Sequence, residues 1–238
     1  MQKPKILFYD LESLPNQGFI WNFRDPSGPH MLTKDEAIIT IAYKWADTDP
    51  KVLVARKPYE DKLILSKFAE IWKEADYVVG HYSDKFDQKY IAYRLMINGL
   101  APLAPVAAID TYKMARKHFK FNSNKLDFIG RMLGVGRKNP MGWSDWEACA
   151  RGDREAMKKM AEYNMQDVVL LQQVFEAMLP YCHSCVLNRL TAAGKSETAC
   201  RNCESTDLEM RGYLLNKTTR KQRYQCRKCG SWGSKKIT

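Results

Sequence analysis

Two carboxylates stand on alternate positions near the start of the chain. Asp10 and Glu12 close an apolar stretch that begins at Ile6. Side chains at positions i and i+2 of a β-strand lie on the same face. Two like charges held this close at the end of a buried strand require a compensating cation, for which a divalent metal ion is suited. The pair alone leaves a second interpretation open, an exposed edge strand whose acids face water.

Two further acids occur on predicted helices. Asp87 lies at the start of a helix, where a carboxylate is favoured by the helix dipole. Asp167 follows Tyr163 by four residues in a long predicted helix, a spacing that places both side chains on one helix face. Asp167 is followed directly by apolar residues, which argues against a solvated surface acid.

Three segments carrying these residues resemble the motifs of one enzyme family. They are Asp10-Leu11-Glu12, then Gly80-His81 with Phe86-Asp87, and finally Tyr163 with Asp167. Their order is similar to that in the DEDD 3'-5' exonucleases of the ribonuclease H-like superfamily, and the tyrosine marks the subclass that includes the proofreading domain of family B DNA polymerases. The resemblance is closer still to stand-alone polymerase-B-like exonucleases of phages and prophages, and it covers roughly residues 4 to 180.

The resemblance implies a 3'-5' exonuclease that prefers DNA, with single-stranded ends as the expected substrate. Two Mg²⁺ or Mn²⁺ ions would be held by Asp10, Glu12, Asp87 and Asp167, with Asp10 bridging, and Tyr163 would orient the attacking water. Two such ions about 3.5 to 4 Å apart can activate water and stabilise the leaving oxygen, and oxygen ligands favour these metals over zinc. An RNA 3'-end exoribonuclease and a catalytically inert nucleic-acid-binding adaptor are the alternatives.

The sequence departs from the family's pattern at one position beside the second motif. Tyr82 follows the motif histidine, where the family usually has asparagine. The substitution puts a contact near the substrate end in doubt but removes none of the expected metal ligands. Asp84 is a further acid in this segment, and it ranks second to Asp87 because Phe86-Asp87 matches the motif better.

The elements that must position these residues alternate between strands and helices. This order predicts an α/β domain, and the resemblance implies a ribonuclease H-like mixed five-stranded sheet flanked by helices. The first three strands, joined by short links, predict an antiparallel meander. The segment 14–29 is expected to be irregular, and Ser123 is expected to be a helix N-cap. We predict strands over 6–12, 38–45, 52–55, 77–80 and 106–110, and helices over 60–74, 86–98, 111–120, 123–134 and 153–179.

Positive charge is concentrated toward the end of the chain. The formal net charge is +11, and residues 181–238 contribute +8 of it from twelve Lys and Arg against four Asp and Glu. Basic segments that also contain aromatic residues favour a nucleic-acid partner; the alternative is a solvated face, with Phe119 and Phe121 in the core. The expected nucleic-acid contacts are Tyr82, Lys113, Arg116, Lys117, Lys120, Arg220, Lys221 and Arg223.

Six of the seven cysteines form three Cys-x-x-Cys pairs beyond residue 180. Without an export signal, such pairs favour metal ligation over disulfides. Cys200, Cys203, Cys226 and Cys229 flank a predicted hairpin, which indicates a small zinc ribbon with one structural Zn²⁺. A site made of Cys182, Cys185, Cys200 and Cys203 is the alternative. Cys149 stands alone and is expected to be buried.

These features predict three parts: an exonuclease domain over 1–180, a linker over 181–198 that contains Cys182 and Cys185, and the ribbon over 199–238. The ribbon is expected either to clamp nucleic acid or to dock a replication or recombination protein. No apolar run is long enough to cross a bilayer and no signal peptide is evident, so we expect a cytoplasmic protein without a membrane partner.

Overall fold

The computed structural model describes residues 4–22, 31–137, 140–182, 199–200, 202–215 and 220–236. Its strands are β1 Ile6–Leu14, β2 Gln17–Phe19, β3 Met31–Lys34, β4 Ala37–Trp45, β5 Lys51–Val54, β6 Tyr77–Gly80, β7 Ala107–Asp110, β8 Leu208–Leu215, β9 Arg220–Cys226 and β10 Trp232–Lys236. Its α-helices are α1 Lys62–Trp72, α2 Asp87–Ile97, α3 Thr111–His118, α4 Leu126–Leu133, α5 Trp143–Ala150 and α6 Arg154–Met178.

Five strands form the main sheet, in the order β5-β4-β1-β6-β7. Strand β1 pairs antiparallel with β4 and parallel with β6. Strand β5 extends the antiparallel side, whereas β7 extends the parallel side. The mixed five-stranded sheet and its β1-β4-β5 meander are therefore confirmed, and β1, which carries the first two acids, is the central strand.

Both faces of β1 are buried, because its side chains alternate between two layers of the core. Leu7, Tyr9 and Leu11 belong to the cluster that α1 and α2 cover. Phe8 points to the opposite layer and contacts Phe175 of α6, with ring centroids 5.6 Å apart. A strand held on both faces gives its side chains little freedom to shift, so it is a rigid base for charged groups at its end.

Helix α6 covers the second face of the sheet. It begins after Asp153, whose carboxylate accepts a hydrogen bond from the backbone N–H of Ala156 at 2.8 Å, a typical N-cap. Its buried residues recur at helical spacing, so one long stripe of the helix faces the sheet. Among the described residues, no helix is long and apolar enough to cross a membrane.

A buried ion pair ties the sheet to α2. Asp61 is 1% exposed, and Arg94 donates to it from Nε at 2.6 Å and from Nη2 at 3.0 Å. Asp61 also accepts hydrogen bonds from the Ile38 backbone at 3.1 Å and from Asn98 Nδ2 at 2.9 Å. This one carboxylate therefore links the start of β4 to two positions on α2.

The structure differs from the sequence-based expectations in three segments. Residues 17–19, within the segment 14–29 that was expected to be irregular, pair with residues 31–34 as a short antiparallel two-stranded sheet. Residues 143–150 form α5, where a loop was expected. Ser123 is not the N-cap of α4, because that helix starts at Leu126; the Ser123 hydroxyl instead accepts from the Lys125 backbone at 3.3 Å. Each of these elements is too short to show a clear sequence period.

The cysteine-rich end forms a separate three-stranded sheet in the order β10-β9-β8. Strands β8 and β9 make the expected hairpin, and β10 adds a third antiparallel strand that the sequence did not indicate. Tyr224 is 2% exposed and covers Gly233 on the neighbouring strand, where an added Cβ would lie 2.2 Å from the tyrosine ring. Of the expected linker over 181–198, residues 183–198, with Cys185, lie outside the described residues.

Replacing Arg94 by leucine should lower the free energy of unfolding by about 3–5 kcal/mol, because Asp61 would remain buried without its cation. Urea unfolding followed by circular dichroism measures this loss. Arg151→Leu is the control: Arg151 forms an exposed pair with Glu147, which should contribute no more than about 1 kcal/mol. Equal losses in the two variants would contradict the role given to the Asp61–Arg94 pair.

Candidate active site

Three of the predicted acids meet at the centre of the main sheet. Asp10 and Glu12 of β1 and Asp167 of α6 each offer a carboxylate oxygen, and these oxygens lie within 4.8 Å of one another. Asp10 and Glu12 are partly buried, whereas Asp167 is fully buried. The packing of α6 on β1 thus brings together residues that are far apart in the sequence.

The backbone of β1 changes its register directly after this pair of acids. Glu12 lies opposite Thr40 of β4, but the next residue, Ser13, lies opposite Ile38, so the ladder contains a bulge. A bulge bends the strand and increases its local twist, and such features often redirect side chains beside functional sites. The bulge therefore separates the acidic segment of β1 from the rest of the strand.

The charges of this cluster define which ligand it can accept. Three ionised carboxylates at this separation repel one another, and burial of Asp167 adds a desolvation cost. A divalent cation relieves both costs. The donor set consists of oxygen atoms alone and therefore suits Mg²⁺ or Mn²⁺ better than Zn²⁺. The residues present consequently fit the metal ions that the sequence motifs imply.

Asn164 supports the cluster and was not anticipated from the sequence. It is fully buried, and its Nδ2 donates to Asp10 Oδ2 at 2.7 Å. Its Oδ1 accepts from the Thr40 hydroxyl at 2.9 Å and from the Ala42 backbone at 2.8 Å. Thr40 and Ala42 are the β4 residues opposite Glu12 and Asp10. One amide therefore fixes the Asp10 carboxylate and joins α6 to both strands.

A sequence signal for Asn164 does exist. Met160, Asn164, Asp167, Val168 and Leu171 follow the spacing of one helix face, and all five are buried. An amide within such a stripe must find hydrogen-bond partners inside the protein. The pattern could have indicated a buried polar contact, although not the identity of its partners.

The fourth predicted acid, Asp87, lies outside the group that meets within 4.8 Å. It is 6% exposed, and it is the first residue of α2. Burial raises the pKa of Tyr9, and the nearby charge of Asp87 raises it further. The competing acid, Asp84, pairs with Lys113 and accepts from Gln88 Nε2 at 3.1 Å. Metal ligation by Asp87 stays a prediction.

Tyr163 lies one helical turn before Asp167 and is partly buried. Its ring meets the ring of Trp146 edge to face, with centroids 6.4 Å apart. Trp146 in turn donates from Nε1 to the Ser13 carbonyl at 3.1 Å, directly after the acidic segment of β1. Helix α5, which carries Trp146, therefore supports both Tyr163 and the bulged part of β1.

The predicted nucleic-acid contacts fall on two separate surfaces. On the main domain, Lys113, Arg116, Lys117 and Lys120 are exposed, and Tyr82 is 46% exposed. On the ribbon, Arg220 lies 3.9 Å from the centroid of Tyr213 and Arg223 lies 4.8 Å from that of Trp232, while Lys221 is partly buried. Phe119 and Phe121 stack on each other against the core, as the alternative interpretation expected.

Four cysteines converge in the ribbon. The sulfur atoms of Cys200 and Cys229 lie 3.6 Å apart, and those of Cys203 and Cys226 lie 3.5 Å apart. With Zn–S bonds of about 2.3 Å, a tetrahedral site separates its sulfurs by roughly 3.8 Å, so this group fits zinc. Burial raises the pKa of the Cys200 thiol to about 12, so ionisation of that thiol requires a cation.

The other described cysteines lie elsewhere. Cys182 is fully buried in the core beside α6, which favours the later four-cysteine set over the alternative that included Cys182. Cys149 is also fully buried, as expected, and burial raises the pKa of its thiol to about 11.

The central sheet and the acidic cluster can now be compared with known proteins. The family model of the RNase H superfamily matches residues 31–179. The chain belongs to the RNase H superfamily. The matched range begins after β1, so this membership does not depend on Asp10 and Glu12. No curated protein sequence matches the chain.

Among solved structures, this RNase H superfamily chain is similar to the family B DNA polymerase from the hyperthermophilic archaeon Pyrobaculum calidifontis. The TM-score is 0.60 at 17% sequence identity, and the alignment covers 90% of this chain and 31% of the polymerase. At this identity the likeness concerns the fold. The chain spans about a third of the length of that polymerase.

Replacing Asn164 by alanine should lower the free energy of unfolding by about 1–3 kcal/mol, because the Thr40 hydroxyl and the Ala42 N–H would lose their buried acceptor. Urea unfolding without added Mg²⁺ or Mn²⁺ measures the effect. Gln166→Ala, an exposed change on the same helix, should stay within about 0.5 kcal/mol. If Asn164→Ala lowered the free energy of unfolding as little as Gln166→Ala does, Asn164 would not be a stabilising link between α6 and β4.

The ribbon should bind one zinc ion per chain, measured by atomic absorption on purified protein. Cys226→Ser should abolish this zinc, because the remaining three sulfurs cannot complete a tetrahedral structural site. Cys149→Ala, which removes a buried thiol from the main domain, should leave the zinc content unchanged. Full zinc content in the Cys226 variant would contradict the assignment.

Proposed function

We propose that this chain is a metal-dependent 3'-5' exonuclease that removes nucleotides from DNA, with single-stranded ends as its preferred substrate. The observation that carries the proposal is the meeting of Asp10, Glu12 and Asp167 within 4.8 Å at the centre of an RNase H-like sheet. An all-oxygen cluster of this kind suits phosphodiester hydrolysis because it can hold the cations that the reaction requires.

The residues of the site would have different roles in metal-dependent hydrolysis. Bound Mg²⁺ or Mn²⁺ would activate water and stabilise the leaving 3'-oxygen. Asp10, Glu12 and Asp167 would hold these ions, with Asp87 as the fourth ligand implied by the motifs. Asn164 keeps the Asp10 carboxylate in one orientation through its hydrogen bond. A fixed orientation matters because metal ligands are usually held in place by such outer contacts.

Tyr163 would orient the attacking water through its hydroxyl. A phenol has an ordinary pKa near 10, so it can hold a water by hydrogen bonding at pH 7 but is a weak base. The contact between Tyr163 and Trp146, together with the hydrogen bond from Trp146 to Ser13, restricts where the tyrosine ring can lie. The indole therefore contributes to positioning rather than to proton transfer.

Three observations support the direction and substrate of the proposed reaction. The spacing of Tyr163 and Asp167, with the two earlier motifs, resembles 3'-5' exonucleases. The fold is similar to that of a DNA polymerase, which supports DNA as the substrate. The exposed basic residues on α3 supply positive charge suited to a phosphate backbone.

The test is hydrolysis of single- and double-stranded DNA and RNA, labelled at the 3' or the 5' end, with Mg²⁺ or Mn²⁺. We expect 5'-labelled single-stranded DNA to give a ladder that shortens with time, whereas 3'-labelled DNA should release its label at once. Faster degradation of RNA would make the protein an exoribonuclease, and immediate release of a 5' label would contradict the direction.

Asp10→Asn and Asp167→Asn should each reduce the rate by more than the 10- to 100-fold that is typical for outer contacts of metal sites, because each removes a charged ligand. Glu162→Gln, an exposed change on the same helix as Asp167, should retain the wild-type rate. If both asparagine variants retained activity, the acidic cluster would not be the catalytic site; a wild-type protein without any hydrolysis would favour the adaptor alternative.

A further inference from the structure

Tyr82 has an unusual backbone conformation for an aromatic residue. Its φ angle is +62°, in the left-handed region where asparagine is several-fold enriched and bulky residues are uncommon. The motif that this segment resembles usually has asparagine here. A tyrosine held in this conformation is therefore a departure with a conformational cost, and such outliers often mark a functional constraint.

A single carboxylate fixes the backbone of Tyr82 together with that of a second tyrosine. Asp110 is 6% exposed, and its Oδ1 accepts from the backbone N–H groups of Tyr82 and Tyr112, both at 2.9 Å. Its Oδ2 accepts from the Asp84 backbone at 3.3 Å. Asp110 is also the N-cap of α3, so the turn after β6 and the start of α3 share one anchor.

The two tyrosine rings form a pair on this anchor, here called the tyrosine pair. Their centroids are 4.9 Å apart and their planes cross at 74°, an edge-to-face contact. His81 supports Tyr112 from another side, with centroids 5.8 Å apart, and donates from Nε2 to the Asn124 carbonyl at 2.9 Å. Tyr82 is nevertheless 46% exposed. The pair thus combines a fixed backbone with an accessible ring.

Two open grooves meet at the tyrosine pair. One, of about 640 Å³, continues along Ser123, Asn124 and Lys125. The other, of about 520 Å³, is basic, with Lys85, Arg116 and Lys117 in its wall. The guanidinium of Arg116 lies 5.9 Å from the centroid of Tyr112. An aromatic ring between a basic groove and a second, more apolar groove suits a chain that alternates phosphates with flat bases.

The register of the sheet places Tyr82 at the same end of the sheet as the acids of β1. Phe8 of β1 lies beside Val79 of the parallel strand β6. Two residues further along the chain from each of these are Asp10, in β1, and His81, directly after β6; Tyr82 follows His81. Adjacent parallel strands lie about 4.8 Å apart. The acids and Tyr82 are therefore carried by the same end of two neighbouring strands.

We propose that the tyrosine pair is a stacking platform for an unpaired nucleobase near the end held at the acidic cluster, with Arg116 and Lys117 contacting the adjacent phosphates. The position of the platform relative to the scissile end rests on the proposed exonuclease function, whereas stacking itself does not require hydrolysis. Bases within a duplex are stacked on both neighbours and have no free face for Tyr82, whereas successive bases of a single strand can each present one, so the platform favours single strands, DNA or RNA, over duplex.

Fluorescence anisotropy tests this with a labelled single-stranded oligothymidylate and a blunt DNA duplex, without added Mg²⁺ or Mn²⁺ so that hydrolysis is suppressed. Tyr82→Asn should weaken single-strand binding about 5- to 150-fold, the range expected for loss of one stacked base. Tyr82→Phe, which keeps the ring, should bind within about twofold of wild type. Duplex binding should be unchanged in both variants.

Tyr59→Asn is the matched control, because Tyr59 also has a positive φ, +66°, but its hydroxyl donates to Pro15 and it lies away from both grooves. It should leave single-strand binding unchanged. Thermal melting of each variant separates binding from folding, and Tyr82→Asn should melt no lower than wild type because asparagine tolerates this backbone conformation.

Unchanged single-strand affinity in Tyr82→Asn, or an equal loss for the duplex, would overturn the platform. An inert active site would leave the Tyr82-dependent binding in place, so failure of the exonuclease proposal is recognised separately, by the absence of hydrolysis in the wild-type protein. Conversely, if the protein is an active exonuclease but its single-strand affinity is the same in Tyr82→Asn, the platform would be contradicted and the exonuclease proposal would stand.

Discussion

The mutual repulsion of three carboxylates at the centre of the sheet is the constraint on which the rest of the structure depends. Asp10, Glu12 and Asp167 are held within 4.8 Å of one another by packing that is otherwise apolar. Such an arrangement is unfavourable without a cation. The surrounding core, built on both faces of β1 and along one face of α6, therefore opposes the tendency of these groups to separate.

Polar contacts around the cluster help to hold the three carboxylates together against their mutual repulsion. Asn164 connects Asp10 to Thr40 and Ala42, so a shift of α6 relative to β4 would break buried hydrogen bonds. Asp61 and Arg94 lock β4 to α2 on the other face of the sheet. Buried polar networks of this kind are costly when any member is missing, and they therefore favour one arrangement of the elements. Preorganised ligands are what a metal-dependent reaction requires.

In the ribbon, the fold likewise brings together ligand atoms, here four cysteine sulfurs, that a metal ion would stabilise. Burial raises the pKa of the Cys200 and Cys203 thiols and so disfavours the ionised form that binds metal. A zinc ion reverses this balance and supplies folding free energy to a sheet with a small core. The two metal sites would thus differ in purpose: the oxygen cluster is suited to chemistry, and the sulfur cluster is suited to structure.

Segments with a clear apolar pattern were predictable, and segments without one were not. Strands β1, β4, β6 and β7 and helix α6 were expected from their apolar patterns and agree with the structure within a few residues. Strand β2 has three residues and pairs across an intervening segment, so no local pattern identifies it. Helix α5 contains two tryptophans and few periodic apolar positions, and it is recognisable only from its contacts with β1 and α6.

The same distinction applies to the candidate site. The resemblance of the three motifs implied that Asp10, Glu12, Asp87 and Asp167 are neighbours, and the structure brings Asp10, Glu12 and Asp167 together. Asn164 could not be assigned a partner from the sequence, because its hydrogen bonds cross between α6, β1 and β4. The anchoring of both Tyr82 and Tyr112 by one oxygen of Asp110 likewise depends on how β7 ends beside β6. Ligation by Asp87 stays a prediction.

The most direct measurement of the central claim is the anomalous X-ray signal of Mn²⁺ in crystals of the protein soaked with MnCl₂. The account predicts a peak at bonding distance, about 2.2 Å, from oxygens of Asp10, Glu12 and Asp167, with no such peak at this position in Asp167→Asn crystals. Manganese bound elsewhere, or a cluster that remains without manganese at saturating concentration, would contradict the assignment of these carboxylates as a divalent-cation site.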